Sequence, residues 1–235
     1  MSLQNEFPVL FEDGTLEELS GLELVDIDLN VQHESRLKRI FDITLAFILS
    51  LILAPLLLVI CASIKLADGG PAIFKQKRIG RNGEVFRCWK FRTMIVNSDE
   101  VLNKVLAEDP RAAAEWDEDH KLRNDPRVTA MGCFLRKTSL DELPQLWNIL
   151  KGEMSLVGPR PIVESEVKKY GRFFRAYISV SPGVTGLWQV SGRNDTGYAE
   201  RVRMDVEYVN NYSIWTDLKI IMMTVPAVLS TRGAY

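Results

Sequence analysis

Residues 43–64 read ITLAFILSLILAPLLLVICASI, twenty-two positions without a charged side chain. As a helix this stretch reaches about 33 Å, the thickness of a bilayer's hydrocarbon layer. Its reading decides the fold, because so long an apolar segment is either a membrane element or the centre of a large core. Pro55 stands near its middle. Proline removes a backbone hydrogen bond and clashes one turn back, so a kink is expected near residues 51–55. Each half is then only about 16 Å long. Arg36, Lys38 and Arg39 precede the run, and Lys65, Lys75, Lys77 and Arg78 follow it. Positive flanks favour the cytoplasmic side. A straight span would leave one basic cluster on the wrong side. A bent, re-entrant helix that enters and leaves by one face satisfies both clusters. The re-entrant reading is preferred to a straight span, and both to a fully buried core helix.

On either side of this segment the charge is uneven. Residues 1–35 carry nine acids and no Lys or Arg. The remainder holds 29 basic residues against 22 acidic ones, a net of +7. An acidic tail before a basic body suits a body that meets anions: nucleotides, lipid phosphates or nucleic acid. The tail reads as mostly irregular, with one short apolar patch between Leu22 and Val31 that suits either a docking strand or a solvated tail. Its acidity and interrupted apolar residues do not read as a signal peptide. Cys61, Cys88 and Cys133 are scattered, which fits a reducing compartment. His33 and His120 are too few and too far apart for a zinc site or a typical triad.

After Asp68-Gly69-Gly70-Pro71, a turn, residues 72–94 alternate as a hairpin turning at Arg81-Asn82-Gly83. A helix is expected from Ser98 to about Asp109, another to about Lys121, and a turn at Asn124-Asp125-Pro126-Arg127. A helix starting after Ser139 should run to about Leu150 and stop at Lys151-Gly152. Glu164 to Arg175 reads helical. Pro182 to Gly186 reads as a loop and Leu187-Trp188-Gln189-Val190 as a short strand. Arg201 to Tyr212 is helical. Residues 213–230 read as a helix that either lies on a surface or fills a core.

Chemistry concentrates at Thr138-Ser139-Leu140-Asp141-Glu142-Leu143-Pro144-Gln145-Leu146-Trp147-Asn148. One acid can attack or hold a metal, and arginine forks grip phosphate oxygens. Capping alone also explains the pair, since Ser139-x-x-Glu142 matches a capping box and acids favour a helix N-terminus. Pattern alone favours capping. The basic surroundings, Arg123, Arg127, Arg136, Lys137, Arg160 and Arg193, favour chemistry. Val157-Gly158-Pro159-Arg160-Pro161 is a rigid loop presenting one arginine, or a simple turn. Lys90-Phe91-Arg92-Thr93-Met94 reads equally as an amphipathic edge strand. No Walker loop or G-x-G-x-x-G fingerprint occurs, so kinase, GTPase and Rossmann readings lose support.

Taken in order, the apolar segment with Pro55, Lys90-Phe91-Arg92-Thr93-Met94, Leu135 to Gln145, Val157-Gly158-Pro159-Arg160-Pro161, Pro182 to Gly186 and Gly192-Arg193-Asn194 resemble the bacterial sugar transferase family, the monotopic phosphoglycosyl transferases. The resemblance covers roughly residues 36–235 and leaves out 1–35. It implies a small monotopic membrane enzyme, helix-rich and mixed α/β. Three parts are implied: an acidic segment (1–35), a re-entrant membrane helix (36–68) and a cytoplasmic catalytic domain (69–235) with surface-lying amphipathic helices. The implied reaction joins hexose 1-phosphate from a UDP-sugar to polyprenyl (undecaprenyl) phosphate and releases UMP. Such a step begins the assembly of exopolysaccharide or another glycoconjugate.

By the same resemblance Asp141 is the nucleophile and Glu142 its partner in a Mg²⁺-dependent dyad, both touching the metal. Arg136 holds the polyprenyl phosphate, and Arg160, Arg193 and Arg92 are further phosphate ligands. Pro55 is the helix break. Where the family often has Ser before that proline, this chain has Ala54, which loses a hydroxyl bond at the bend. Chain size and the ending Arg232-Gly233-Ala234-Tyr235 resemble members using galactose or glucose. The implied location is the bacterial inner membrane with the catalytic domain facing the cytoplasm, among inner membrane lipids, with room for a homodimer and no nucleic acid. The rival class is a non-enzymatic membrane-anchored module binding anionic lipid or nucleic acid. It predicts no metal dependence and no nucleotide release, and the absence of a recognised reader motif disfavours nucleic acid.

Overall fold

The computed structural model describes residues 35–119, 122, 124–191 and 197–229. Arg193, Arg123, the apolar patch of the acidic tail, both histidines and the last residues lie outside these.

The apolar run lies inside α1, Arg36–Asp68, an α-helix of 33 residues with Pro55 inside it. Ser35 caps its start, accepting from the Lys38 backbone N–H at 3.1 Å. Gly69, at φ 72°, closes its end with an N–H to the Lys65 carbonyl, the left-handed cap that glycine adopts without a Cβ penalty. One stripe of α1 packs on the rest of the chain. Phe41, Leu45, Ala46, Leu49 and Leu53 join the main core. Leu57, Ile60, Cys61 and Ile64 join a smaller cluster with Ala72, Phe91 and Leu135. The opposite arc, including Phe47, Leu51, Ile52, Leu58 and Val59, is exposed. α1 is long and apolar enough to cross a membrane.

The first turns of α1 are held by charge as well as packing. Lys38 Nζ donates to Asp217 Oδ2 at 2.6 Å and to the Val157 carbonyl at 3.2 Å, and lies 3.6 Å from Asp42. Asp42 accepts from the Ser155 hydroxyl at 2.8 Å and from the Leu156 N–H at 3.3 Å. The Tyr208 hydroxyl donates to Asp217 Oδ1 at 2.8 Å. At the other end Arg92 pairs with Asp68.

β1 (Ile73–Ile79) and β2 (Val85–Phe91) form an antiparallel hairpin in register from Ile73↔Phe91 to Ile79↔Val85. It turns through Arg81–Gly83, as the sequence predicts, with Asn82 at φ 57°. α2 (Ser98–Glu108) and α3 (Pro110–Asp119) follow. α4 (Ala130–Lys137) is capped by Thr129, which accepts from the Gly132 N–H at 2.9 Å. α5 (Gln145–Lys151) ends at Gly152, φ 93°. β3 (Ser155–Val157) pairs in parallel with β4 (Gly183–Thr185). Between them lie α6 (Val167–Tyr170) and α7 (Phe174–Ser179). α8 (Leu187–Ser191), α9 (Tyr198–Asn211) and α10 (Ile214–Leu229) complete a helix-rich, mixed α/β structure.

Four local expectations are corrected. Leu187 to Val190 is helix, not strand, while the expected loop at 183–185 is the strand. β4 exists because β3, far away in sequence, offers it a ladder. Glu164 to Arg175 is not one helix: Gly171 at φ 49° divides it. The helix expected after Ser139 begins only at Gln145, because the backbone of Ser139 is not that of a helix cap.

Candidate active site

Ser139 is left-handed (φ 55°, ψ 15°) and its side chain makes no capping bond. Leu140–Glu142 form a single 3₁₀ turn, and α5 starts after Pro144. A left-handed non-glycine residue costs on the order of 1 kcal/mol or more, and such strain gathers at functional sites. The capping-box explanation of the two acids is therefore removed.

Asp141 and Glu142 face β2. Lys90 Nζ donates to Glu142 Oε1 at 2.7 Å and lies 4.0 Å from Asp141 Oδ2. Arg160 Nη1 reaches Glu142 Oε1 at 3.5 Å. Asp141 makes no side-chain hydrogen bond with any described residue. Burial pushes its carboxyl up to about 6, against the pull of Lys90. Burial acts on Glu142 too, but Lys90 and Arg160 outweigh it and hold that carboxyl down at about 2. Two neighbouring acids are thus set apart: one fixed as a paired anion, one desolvated and short of partners.

Arg160 is presented by the loop after β3. Gly158 donates its N–H to the Thr185 carbonyl at 2.9 Å, and Gly183 its N–H to the Pro159 carbonyl at 2.8 Å. The backbones touch so closely that a Cβ on Gly183 would meet the Gly158 backbone. Arg136, on α4, donates from Nε to Thr93 Oγ1 at 3.0 Å, and its charge acts on Asp141. Arg92 is engaged by Asp68 at the end of α1, not by the carboxylate pair. The structure therefore brings together Asp141, Glu142, Arg160 and Arg136. Arg193 lies outside the described residues.

Lys90 was not among the residues the sequence singled out as site groups. The signal was present: period two puts it on the same face of β2 as buried Phe86 and Cys88, and a lysine continuing a core face needs a reason. Gln145, Arg78 and Cys88, which line the cavity beside Glu142 with Lys90 and Arg160, were also missed as site groups.

Magnesium takes one or two carboxylates and completes its shell with water and substrate phosphate oxygens. The adjoining carboxylates of Asp141 and Glu142 fit that donor set, with Lys90 as the cation that an ion would displace. No group of three or more His, Cys, Asp or Glu side chains among the described residues could hold a metal by itself.

Comparison with known proteins shows the family. A UDP-galactose-lipid carrier transferase of Erwinia amylovora is 53% identical over 205 residues, 87% of this chain and 43% of that protein. An undecaprenyl-phosphate galactose phosphotransferase of Salmonella typhimurium is 53% identical over 199 residues, 85% of this chain and 42% of the relative. The exopolysaccharide production protein ExoY of Rhizobium meliloti is 52% identical over 198 residues, covering 84% of this chain and 88% of its own length. The chain thus spans about two fifths of the length of the first two relatives and most of the third. The family description "Bacterial sugar transferase" matches residues 33–231. The chain belongs to the bacterial sugar transferase family.

Proposed function

We propose that this chain transfers hexose 1-phosphate from a UDP-sugar, with UDP-galactose or UDP-glucose as the expected donor, to polyprenyl (undecaprenyl) phosphate. The observation that carries the proposal is Asp141: half-buried, short of partners among the described residues, and next to an acid already neutralised by Lys90 and Arg160. The names of the relatives agree in substrate class.

In the first half reaction an Asp141 oxygen attacks the phosphorus that bears the sugar. The phosphorus–oxygen bond to UMP breaks, and UMP leaves with the electron pair. In the second, a phosphate oxygen of the lipid attacks the same phosphorus and expels the Asp141 carboxylate. One desolvated nucleophile thus serves a water-soluble donor and then a lipid acceptor. Lys90 and Arg160 balance charge on the Glu142 side, and Arg136 supplies a guanidinium for the lipid phosphate. Arg92 would take part only by exchanging Asp68 for phosphate. Held by Asp141 and Glu142, Mg²⁺ would neutralise diphosphate charge.

The membrane reading belongs to the same proposal. α1 enters the inner membrane from the cytoplasm and returns to the same face, bent at Pro55, where the Leu51 carbonyl loses its helical donor. Both ends of α1 are tied to one body, through Lys38 at the start and Asp68 at the end, which supports this arrangement. α4 and α10 lie on the surface. Exposed Phe134, Trp215 and Met222 suit an interface.

The test is a panel of UDP-sugars with polyprenyl phosphate and Mg²⁺, scored by UMP release. No release with any donor would sink the transferase reading. Cysteine probes at positions 32 and 82 should stay unlabelled from outside intact cells. Outside labelling at 32 would mean a true span. Mass measurement in nanodiscs decides whether the protein is a homodimer.

A further inference from the structure

Pro159 and Pro161 bracket Arg160, and neither has a backbone N–H to give. The loop that presents Arg160 therefore depends on donors from elsewhere in the chain. The Pro159 carbonyl accepts from the Gly183 N–H at 2.8 Å. The Pro161 carbonyl accepts from a side chain, Nη1 of Arg78, at 3.0 Å. One residue further, Ile162 accepts from the Ile79 N–H at 2.9 Å and donates to the Tyr177 hydroxyl at 3.2 Å. That hydroxyl donates in turn to the Ile79 carbonyl at 2.6 Å. Arg78 and Ile79 end β1, so strand and loop are fastened together just after Arg160.

The Arg160 side chain has no comparable hold. Among the described residues it reaches only Glu142, at 3.5 Å. Its direction follows its own backbone and the charges around it, and Arg78 acts on both. Arg78 grips the carbonyl next to Arg160, and the two guanidinium groups line one small space beside Glu142. Like charges in one space repel, which turns Arg160 toward Glu142. Burial, and then the Arg160 charge, push the Arg78 guanidinium down, with Glu166 opposing them. Other bonds keep Arg78 in place: Nη2 donates to Gln76 Oε1 at 2.7 Å, and Nη1 lies 3.6 Å from Glu166 Oε2. Glu166 is fixed in its turn by the Val163 N–H at 2.9 Å and by Arg201 at 3.2 Å. The hairpin register, Arg78 opposite Phe86 and Phe74 opposite Lys90, puts Arg78 and Lys90 on one face. One element thus sets both cations that hold Glu142, Lys90 directly and Arg160 through its loop.

We propose that Arg78 is a positioning residue for the transfer: by holding the Pro161 carbonyl it aims Arg160 at the phosphates of the donor. The inference rests on the phosphoglycosyl transfer reading above. Arg78 itself touches no reacting atom.

The experiment uses the full chain in lipid nanodiscs and follows UMP release from the preferred UDP-hexose. Arg78→Met and Tyr177→Phe are each made alone and in Arg160→Ala protein. Each is expected to lower kcat/KM of the parent about tenfold, and that of Arg160→Ala about twofold or less, because the effects of residues that act through one another do not add. Tyr177→Phe loosens the same loop through a different bond, and decides the matter where Arg78→Met does not fold. Where Arg160→Ala turns over too slowly to time, the same cycle is read as affinity for the UDP-hexose in Asp141→Asn protein. Equal losses in both backgrounds overturn the proposal, since a residue that touched the donor, or that only held the fold, would act without Arg160. An unchanged kcat/KM in Arg78→Met overturns it as well. Either result leaves the transferase reading standing, whereas a parent that releases no UMP from any UDP-hexose overturns both.

Discussion

Two clusters in this protein have almost the same composition, one lysine between two carboxylates, and opposite characters. Around Lys38, Asp42 and Asp217 every carboxylate is held: by Ser155, by the Leu156 N–H, by Tyr208 and by the ammonium itself. Around Lys90, Glu142 is held but Asp141 has only a contact at 4.0 Å. The first cluster is architecture, since desolvated charges persist only when fully paired. The second withholds a close partner from one carboxylate, as the proposed nucleophile requires. Counting filled hydrogen-bond positions separates the two where counting charges does not.

The largest effect that could break this comparison is at Asp141. Asp141→Asn is expected to lower turnover by on the order of 10⁴-fold or more with an unchanged melt. Mass spectrometry of the parent with UDP-sugar alone should show a phospho-sugar adduct on Asp141. A fully active variant would return the residue to a structural role. Next is Lys38→Met, which leaves Asp42 and Asp217 facing each other in the interior. It should cost about 3–5 kcal/mol of stability, read as a lower thermal midpoint, and neutralising all three members together should recover most of it. If Lys38→Met melts like the parent, the cluster does not hold α1 to the domain.

At the reactive cluster the signature reverses. Arg160→Lys keeps charge but loses the fork, and should lower kcat/KM about tenfold to a hundredfold while moving the melt little. Unchanged kinetics would remove Arg160 from phosphate binding. The smallest effect comes from a third carboxylate that stands between the two cases. Asp205 is buried like Asp217, but among the described residues it receives only the Tyr170 hydroxyl at 2.6 Å and Arg201 at 4.0 Å. Burial pushes its carboxyl up to about 6, against Arg201 and Tyr170. With a folded value above the ordinary one, its ionisation weakens the fold fully above pH 6, and that penalty fades as pH falls toward 4. Asp205→Asn should therefore be more stable than the parent by about 3 kcal/mol at pH 7, since each tenfold change in acidity between the folded and unfolded chain is worth about 1.4 kcal/mol and the shift spans about two. The difference should close near pH 4. A pH-independent difference would mean that folding leaves the acidity of this carboxyl unchanged.

Much of the local architecture was legible because it is local. The apolar length of 43–64, the hairpin turning at Asn82-Gly83 and the stop at Gly152 each rest on neighbouring residues. The carboxylate pair was legible as a candidate, but its competing use as a cap was decided by the left-handed backbone of Ser139, which no propensity announces in serine. β4 was missed because its partner β3 is supplied from elsewhere in the chain. The Lys38 cluster was missed for the same reason; Lys90 was missed although its place on the core face of β2 was legible, because its partner Glu142 comes from another part of the chain.

The distance in sequence between Lys38 and Asp217, 179 residues, has a consequence for synthesis. A ribosome makes α1 long before α10, so the lysine leaves it without its final counter-charge. Asp42, one turn further along the same helix and 3.6 Å away, can accompany it there. The helix thus carries a provisional partner during synthesis, and the closing of α10 over Lys38 is a late event in assembly, one that only a nearly complete chain performs.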